Sequence, residues 1–213
     1  MTRVMVDGRL ARGERTRANV LDAAVRLASV EGLGGLSLSQ LAQRLPVSKS
    51  ALFAHWASKE ELQLATIEHA REQFGDLVLR PALANPRGVR RLFAVHESRL
   101  RFYADGVLPG GCFFVGAQYE YDAREGAVHD RLCEVSAEWL TTLERLAGEA
   151  VAIGDLAEDT DPDLLAFAVD AAGTAAVYRA RMVDPERAYT LSRGAVLRLL
   201  RPLLTDPTLL PEE

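Results

Sequence analysis

Lysine is nearly missing from this chain. Of its 25 basic residues only Lys49 and Lys59 are lysines; arginine supplies the rest. Cysteine is almost as rare, with Cys112 and Cys133 alone, no C-x-x-C spacing and four scattered histidines. That poverty excludes a disulfide framework and a clustered zinc site, and both thiols are expected to be small buried hydrophobes. No run approaches the ~20 apolar residues that span a bilayer, and the first residues lack the apolar core of a signal peptide. A soluble, cytoplasmic protein without a membrane partner is therefore expected. No phosphate loop, hydrolase elbow or metal motif is legible, so no catalytic residue, metal or cofactor is expected. Sustained period-two alternation with hairpin turns is absent too, which argues against a sheet.

What is present is ordinary in bulk and uneven in detail. The 213 residues are 48% hydrophobic and 26% charged, with a net charge of −5. Through residue 60 the balance is +4, and over the remainder it is −9. A basic head on an acidic body points to different partners for the two parts. The expected division is an arm with a basic unit over 1–60 and an acidic unit over 61–213.

Helical signals fill the chain. Met1 to Arg12 read as a mobile arm, whose Arg3, Arg9 and Arg12 serve either as solubilising charge or as groove and phosphate contacts. From Thr16 onward Val20, Leu21, Ala24, Leu27 and Ala28 fall on one helical face, and Gly32 takes the left-handed position that ends it. Ser37-Leu38-Ser39-Gln40 fits a capping box, and that helix stops before Pro46 because the residue preceding proline leaves the α region. Ser48 caps a third helix to about His55. Ser58-Lys59-Glu60-Glu61 opens a fourth, reaching about Leu79 before Pro81. Asn85-Pro86, Asp161-Pro162 and Asp184-Pro185 mark further starts, a cap followed by proline in the first turn. One more helix follows Gly110-Gly111, and a long one covers about 127–152 before Gly154. The fold class is all-α, with about nine helices.

Two short helices, Ser37–Leu45 and Ser48–His55, separated by a tight turn, form a helix-turn-helix, which sets its second helix in the major groove of DNA. Leu41, Ala42, Val47 and Leu52 are expected to pack the pair. Ser48, Lys49, Ser50, Ala51 and His55 are expected to face outward.

Over Val20 to Leu62, with "LSQLAQRL" and "VSKSALFAHWASKEEL", the chain resembles the DNA-binding domain of the TetR family of bacterial repressors. The resemblance implies a three-helix DNA-binding domain joined by a long helix to a divergent helical effector and dimerisation domain. It implies a homodimer on a double-stranded DNA operator, released by a small molecule. Lys59, in the first turn of the fourth helix, is then expected to grip a backbone phosphate, where the helix terminus already favours an anion. Lys49 reaches either a guanine edge or a phosphate. Phe53 stands where the family usually has tyrosine, which removes one hydroxyl contact to phosphate. His55 matches a DNA-facing histidine. Ser37, Ser39 and Gln40 at the head of the first helix of the pair complete the expected contact set. Trp56 replaces a phenylalanine and should pack between helices. Pro46 replaces a turn glycine, so Leu45 should be extended and the recognition helix slightly re-aimed.

A single such unit touches few bases, so a dimer is expected. The helices near 162–182 and 185–201 are the candidates: "LLAFAVDAAGTAAV" is rich in small residues, with Val196, Leu199 and Leu200 as the matching stripe, and two copies would make a four-helix bundle. A pocket for an apolar or aromatic effector is expected along "LPGGCFFVGAQYEYD". Cys112, Phe114, Gln118 and Tyr121 lie there, and Phe102, Tyr103, Trp139, Phe167 and Tyr178 complete its walls. Gly110–Gly111 is the expected moving segment. Two rival readings stay open at this point: a constitutive DNA-binding protein without effector, and a helical enzyme.

Overall fold

The computed structural model describes residues 2–212, with side chains from residue 13 onward. Among the described residues there is no sheet, only one isolated bridge between Leu156 and Leu204. The helices are α1 (Thr2–Glu31), α2 (Leu38–Arg44), α3 (Lys49–His55), α4 (Lys59–Phe74), α5 (Arg80–Leu83), α6 (Val89–Ala104), α7 (Phe113–Tyr121), α8 (Ala127–Ala152), α9 (Pro162–Met182) and α10 (Pro185–Leu200). α1 begins at Thr2, so the backbone expected to be an arm is helical; the side chains of Arg3, Arg9 and Arg12 lie outside the described residues.

The fourth rod runs past its proline. A π-helical turn, Gly75–Leu79, joins α4 to α5, and Arg80 N–H donates five residues back to Gly75. Widening the helix there accommodates Pro81, which has no N–H and whose ring would otherwise press on the carbonyl four residues back. Counting α4, that turn and α5 as one continuous helical stretch leaves nine helices among the described residues, the number expected. Asn85 does not start the next helix. Its amide donates to the carbonyls of Pro81 and Ala82, closing α5 instead. α6 starts at Val89, whose N–H donates to Asp155 Oδ2 at 2.9 Å. Asp161 and Asp184 cap α9 and α10 as their spacing predicts.

The chain divides into two compact units. One comprises residues 1–72 and 108–132, the other residues 73–107 and 133–213. In the first, Val20, Leu21, Ala24 and Val25 of α1 are buried, as are Leu41, Leu52, Trp56, Leu62 and Ile67. Gly110 N–H donates to Ser29 Oγ at 3.1 Å, and a Cβ on Gly110 would stand 1.6 Å from the Ser29 carbonyl oxygen. Gly110 is a point of close contact with α1.

In the second unit Val89, Leu92, Phe93, Leu143, Leu146, Leu165, Val169, Val196, Leu197 and Leu200 share one core. Val196 and Leu200 therefore belong inside the protomer, not to an outward dimer stripe. Cys133 also departs from expectation: it is exposed, whereas Cys112 is buried.

Polar groups thread this core. Arg99 donates to Tyr103 Oη (2.6 Å), Asp170 Oδ1 (2.8 Å) and Thr174 Oγ1 (3.0 Å). One turn earlier, His96 is 1% exposed, with Nε2 3.3 Å from Ser192 Oγ and no hydrogen-bond partner at Nδ1. Burial, with the Arg99 charge adding to it, lowers its pKa to about 4.

Unfolded, the imidazole binds a proton below about 6.5; folded, it resists one until about 4. Acid therefore favours the unfolded chain across that window, and stability falls by about 2 kcal/mol between pH 7.5 and pH 5. Denaturant unfolding at a series of pH values checks this: His96→Asn is expected to flatten that part of the wild-type pH dependence.

Candidate nucleic-acid interface

α2 begins where Ser37 Oγ accepts the Gln40 N–H at 3.2 Å. Only that half of the expected box forms. The Gln40 side-chain amide turns to Glu31 Oε2, and Arg44 bonds the other Glu31 oxygen at 2.7 Å, tying α2 to the end of α1. Leu45 is extended (φ −120°, ψ 150°), as Pro46 requires, and Val47 N–H donates to its carbonyl at 2.8 Å. The turn then delivers Ser48, which caps α3 by accepting the Ala51 N–H at 3.2 Å.

α3 has seven residues, too few to be stable alone. Its inner side is one leucine: Leu52 is fully buried, with Trp56 just beyond it 2% exposed. Leu41 is buried opposite, while Ala42 and Val47 are half-buried. The outer side carries Ser48, Lys49, Ser50, Phe53 and His55, all exposed, with Ala51 partly so. Phe53 is 47% exposed, with the Lys49 ammonium 5.8 Å from its ring centre. The Ser48 and Ser50 hydroxyls are 3.1 Å apart. A cation beside an aromatic face, two neighbouring hydroxyls and an imidazole are thus exposed within eight residues, groups that suit phosphate oxygens and base edges.

Ser58 caps α4 through the Glu61 N–H at 3.0 Å, and Glu61 returns the bond one residue early, accepting from Ala57 at 2.7 Å. Lys59 is exposed in this first turn, and its ammonium donates to the Gly34 carbonyl. That bond was illegible in the sequence, since it joins residues 25 apart. Ser39 is exposed; Ser37 and Gln40 are half-buried and engaged within the protein.

The expected pocket residues divide between the compact units. In the first, Cys112 and Tyr121 are buried, and Phe114 and Gln118 are half-buried. Tyr121 shares the inward face of α7 with Phe113 and Ala117, and its hydroxyl accepts from buried Gln63 at 2.9 Å. Its hydroxyl is therefore engaged within this unit.

In the second unit Phe102 and Tyr103 are buried and Trp139 is half-buried. The Phe74 ring meets Phe102 and Trp139 edge-on, with centroids 5.6 and 5.4 Å away. Trp139 Nε1 donates to Asp170 Oδ1 at 2.7 Å, and Arg99 lies 5.4 Å over its ring. Phe74, Arg99 and Asp170 are the participants that spacing arguments missed. Phe167 and Tyr178 stand apart. They are 66% and 61% exposed, on the side of α9 opposite its buried Leu165, Val169, Ala176 and Val177, so they wall no pocket within the chain.

Among the described residues no group of histidine, cysteine and carboxylate side chains could hold a metal, and no helix is long and apolar enough to cross a membrane.

Known proteins share both parts of this architecture. The profile of bacterial regulatory proteins of the tetR family matches residues 20–66. That of the tetracyclin repressor-like C-terminal domain matches residues 88–196, about half the chain. The HTH-type transcriptional regulator SrpR of Pseudomonas putida is 24% identical over 156 residues, covering 71% of this chain and 68% of that regulator. A TetR transcriptional regulator of Chloroflexus aurantiacus is 27% identical and superposes with a TM-score of 0.77 over 87% of this chain and 96% of its own. The TetR-family regulator of Cytophaga hutchinsonii reaches 0.79 at 18% identity, over 92% and 98%. The chain thus belongs to the TetR family of DNA-binding transcriptional regulators.

Proposed function

We propose that this protein is a cytoplasmic repressor that binds a palindromic operator as a homodimer and leaves it when a small apolar or aromatic effector binds. We assign DNA reading to residues 1–60 and sensing and dimerisation to 61–213. One observation carries this reading: α3 buries Leu52 and turns Ser48, Lys49, Ser50, Phe53 and His55 outward together. Lys49 reads a guanine edge, since its ammonium projects from the first turn of α3 beside the Phe53 ring. Lys59 grips phosphate, exchanging the Gly34 carbonyl for a charged acceptor, which makes the stronger hydrogen bond.

The dimer reading is supported by α9. Leu164, Phe167, Ala171, Ala175, Tyr178 and Met182 are exposed at three- and four-residue spacing, and Leu191 of α10 is exposed as well. So long an apolar stripe is costly in water and suits a second copy of the same helix. For the effector, the edge-packed rings of Phe74, Phe102 and Trp139 offer apolar surface beside the polar Arg99–Asp170 pair. To switch occupancy from 1:99 to 99:1 the effector must discriminate between the two states by about 5.5 kcal/mol.

Selection from a randomised duplex library is expected to enrich one palindrome. Lys49→Ala is expected to weaken binding to it about tenfold and to relax selection at one symmetric base pair. Phe53→Tyr restores the missing hydroxyl and is expected to tighten binding about fivefold, the worth of one hydrogen bond. Both are read by titration at fixed salt.

Phe167→Asp should yield monomers in light scattering, with operator affinity lost and the thermal transition retained. A dimer persisting in that variant would place the interface elsewhere.

A further inference from the structure

The loop between α1 and α2 reads Gly32-Leu33-Gly34-Gly35-Leu36, and the end of the first helix needs only one of those glycines. Gly32, at φ +83°, ends α1. Gly34 has another reason to lack a side chain. Its N–H donates to Glu120 Oε1 at 2.9 Å, and a Cβ on it would lie 2.1 Å from that oxygen. Glu120 belongs to the last turn of α7, 86 residues away in sequence. Both glycines face this carboxylate, since a Cβ on Gly32 would come within 2.8 Å of Glu120 Oε2.

A second bond beside the first holds the same loop. Buried Gln63 of α4 donates to the Leu33 carbonyl and to Tyr121 Oη, each at 2.9 Å. Burial and the neighbouring Glu120 charge raise the Tyr121 pKa, so the phenol stays neutral. Arg124 bonds Glu120 at 3.3 Å and lies 4.5 Å over the Tyr121 ring. The Gly34 carbonyl faces the other way and accepts the Lys59 ammonium. Glu120, the Gly34 residue and Lys59 therefore form a chain of hydrogen bonds from α7 to the first turn of α4, across the loop that leads into α2.

We propose that Glu120 is a positioning residue for operator binding: by holding Gly34 it fixes the entry to the helix-turn-helix and the resting place of the Lys59 ammonium. The inference rests on the operator-binding reading above and names the side chain through which segment 108–132 acts on it. Residues 107 and 133, at the two ends of that segment, continue into the second compact unit. The latch is thus joined covalently at both ends to the rest of the chain. A preformed loop saves ordering cost on binding, so releasing it should lower affinity.

The test uses the full chain, the palindrome enriched by the wild type, and amide exchange at Gly34. Glu120→Ala is expected to weaken operator binding about tenfold and to speed Gly34 exchange, with dimerisation and thermal transition unchanged. Glu120→Gln keeps an acceptor and should remain within about threefold of the wild type. Gly34→Ala pushes the carboxylate aside and should bind about as weakly as Glu120→Ala. Adding Glu120→Ala to it should lower affinity no further, a coupling that independent sites would not show. Affinity within twofold of wild type, or raised, in Glu120→Ala would overturn the proposal while leaving the operator reading intact. So would unchanged Gly34 exchange, whatever the DNA result. If the wild type enriches no duplex, the operator reading fails and this inference falls with it.

Discussion

A helix of two turns does not hold itself together in water; its nucleation cost exceeds what its few hydrogen bonds return. α3 therefore exists because Leu52 and Trp56 are buried against their neighbours, with Leu41 of α2 buried in the same unit. Each such side chain contributes about 1.5–3 kcal/mol on leaving water. The outward set of Ser48, Lys49, Ser50, Phe53 and His55 is a consequence of that inward anchoring. Ser48 stops the helix from fraying at its head, and Pro46 forces the extended step that separates α3 from α2. Recognition chemistry here is the exposed remainder of a packing solution.

The two units handle polarity differently. The first places polar bonds at its loops and helix ends, where Glu61, Gln63 and Glu120 each satisfy a backbone group that helices or turns leave open, and Glu31 takes the side chains of Gln40 and Arg44. The second buries a guanidinium. Arg99 is held by Tyr103, Asp170 and Thr174, and Gly173 gives it room, since a Cβ there would come within 2.5 Å of Nη1. Such a network is costly to break from one side, because the surviving charge is left buried. It pins α6 to α9, while the far side of α9 remains apolar and exposed. A rigid inner face and a free outer face on one helix are what a helix that pairs with a second copy requires.

Local order was legible in the sequence wherever local chemistry decides it. Asp161 and Asp184 cap the helices they precede, Gly154 follows α8, and Leu45 is extended before its proline. The errors share a cause. Asn85 has the capping chemistry but spends its amide on the preceding helix, and Pro81 is absorbed by a π turn, because neighbouring backbone offered those partners. Gly110 packs on α1, a contact its glycine pair does not foretell. Phe167 and Tyr178 are aromatic enough for a pocket, yet helical phase puts them on the outer side of α9. Ser48, Lys49, Ser50 and His55 are exposed as expected and Ala51 partly so, because α3 is short and its inner side is a single leucine. Glu120, Gln63, Arg99 and Asp170 escaped notice because each acts on a partner dozens of residues away, and periodicity carries no signal for that.

Hydroxyl-radical footprinting of the wild-type complex on its enriched palindrome tests most directly whether two copies of α3 enter successive major grooves of one duplex. Two symmetric protected patches are expected, their centres one helical turn, about 34–36 Å, apart. A single patch, or protection indifferent to sequence, would contradict that arrangement.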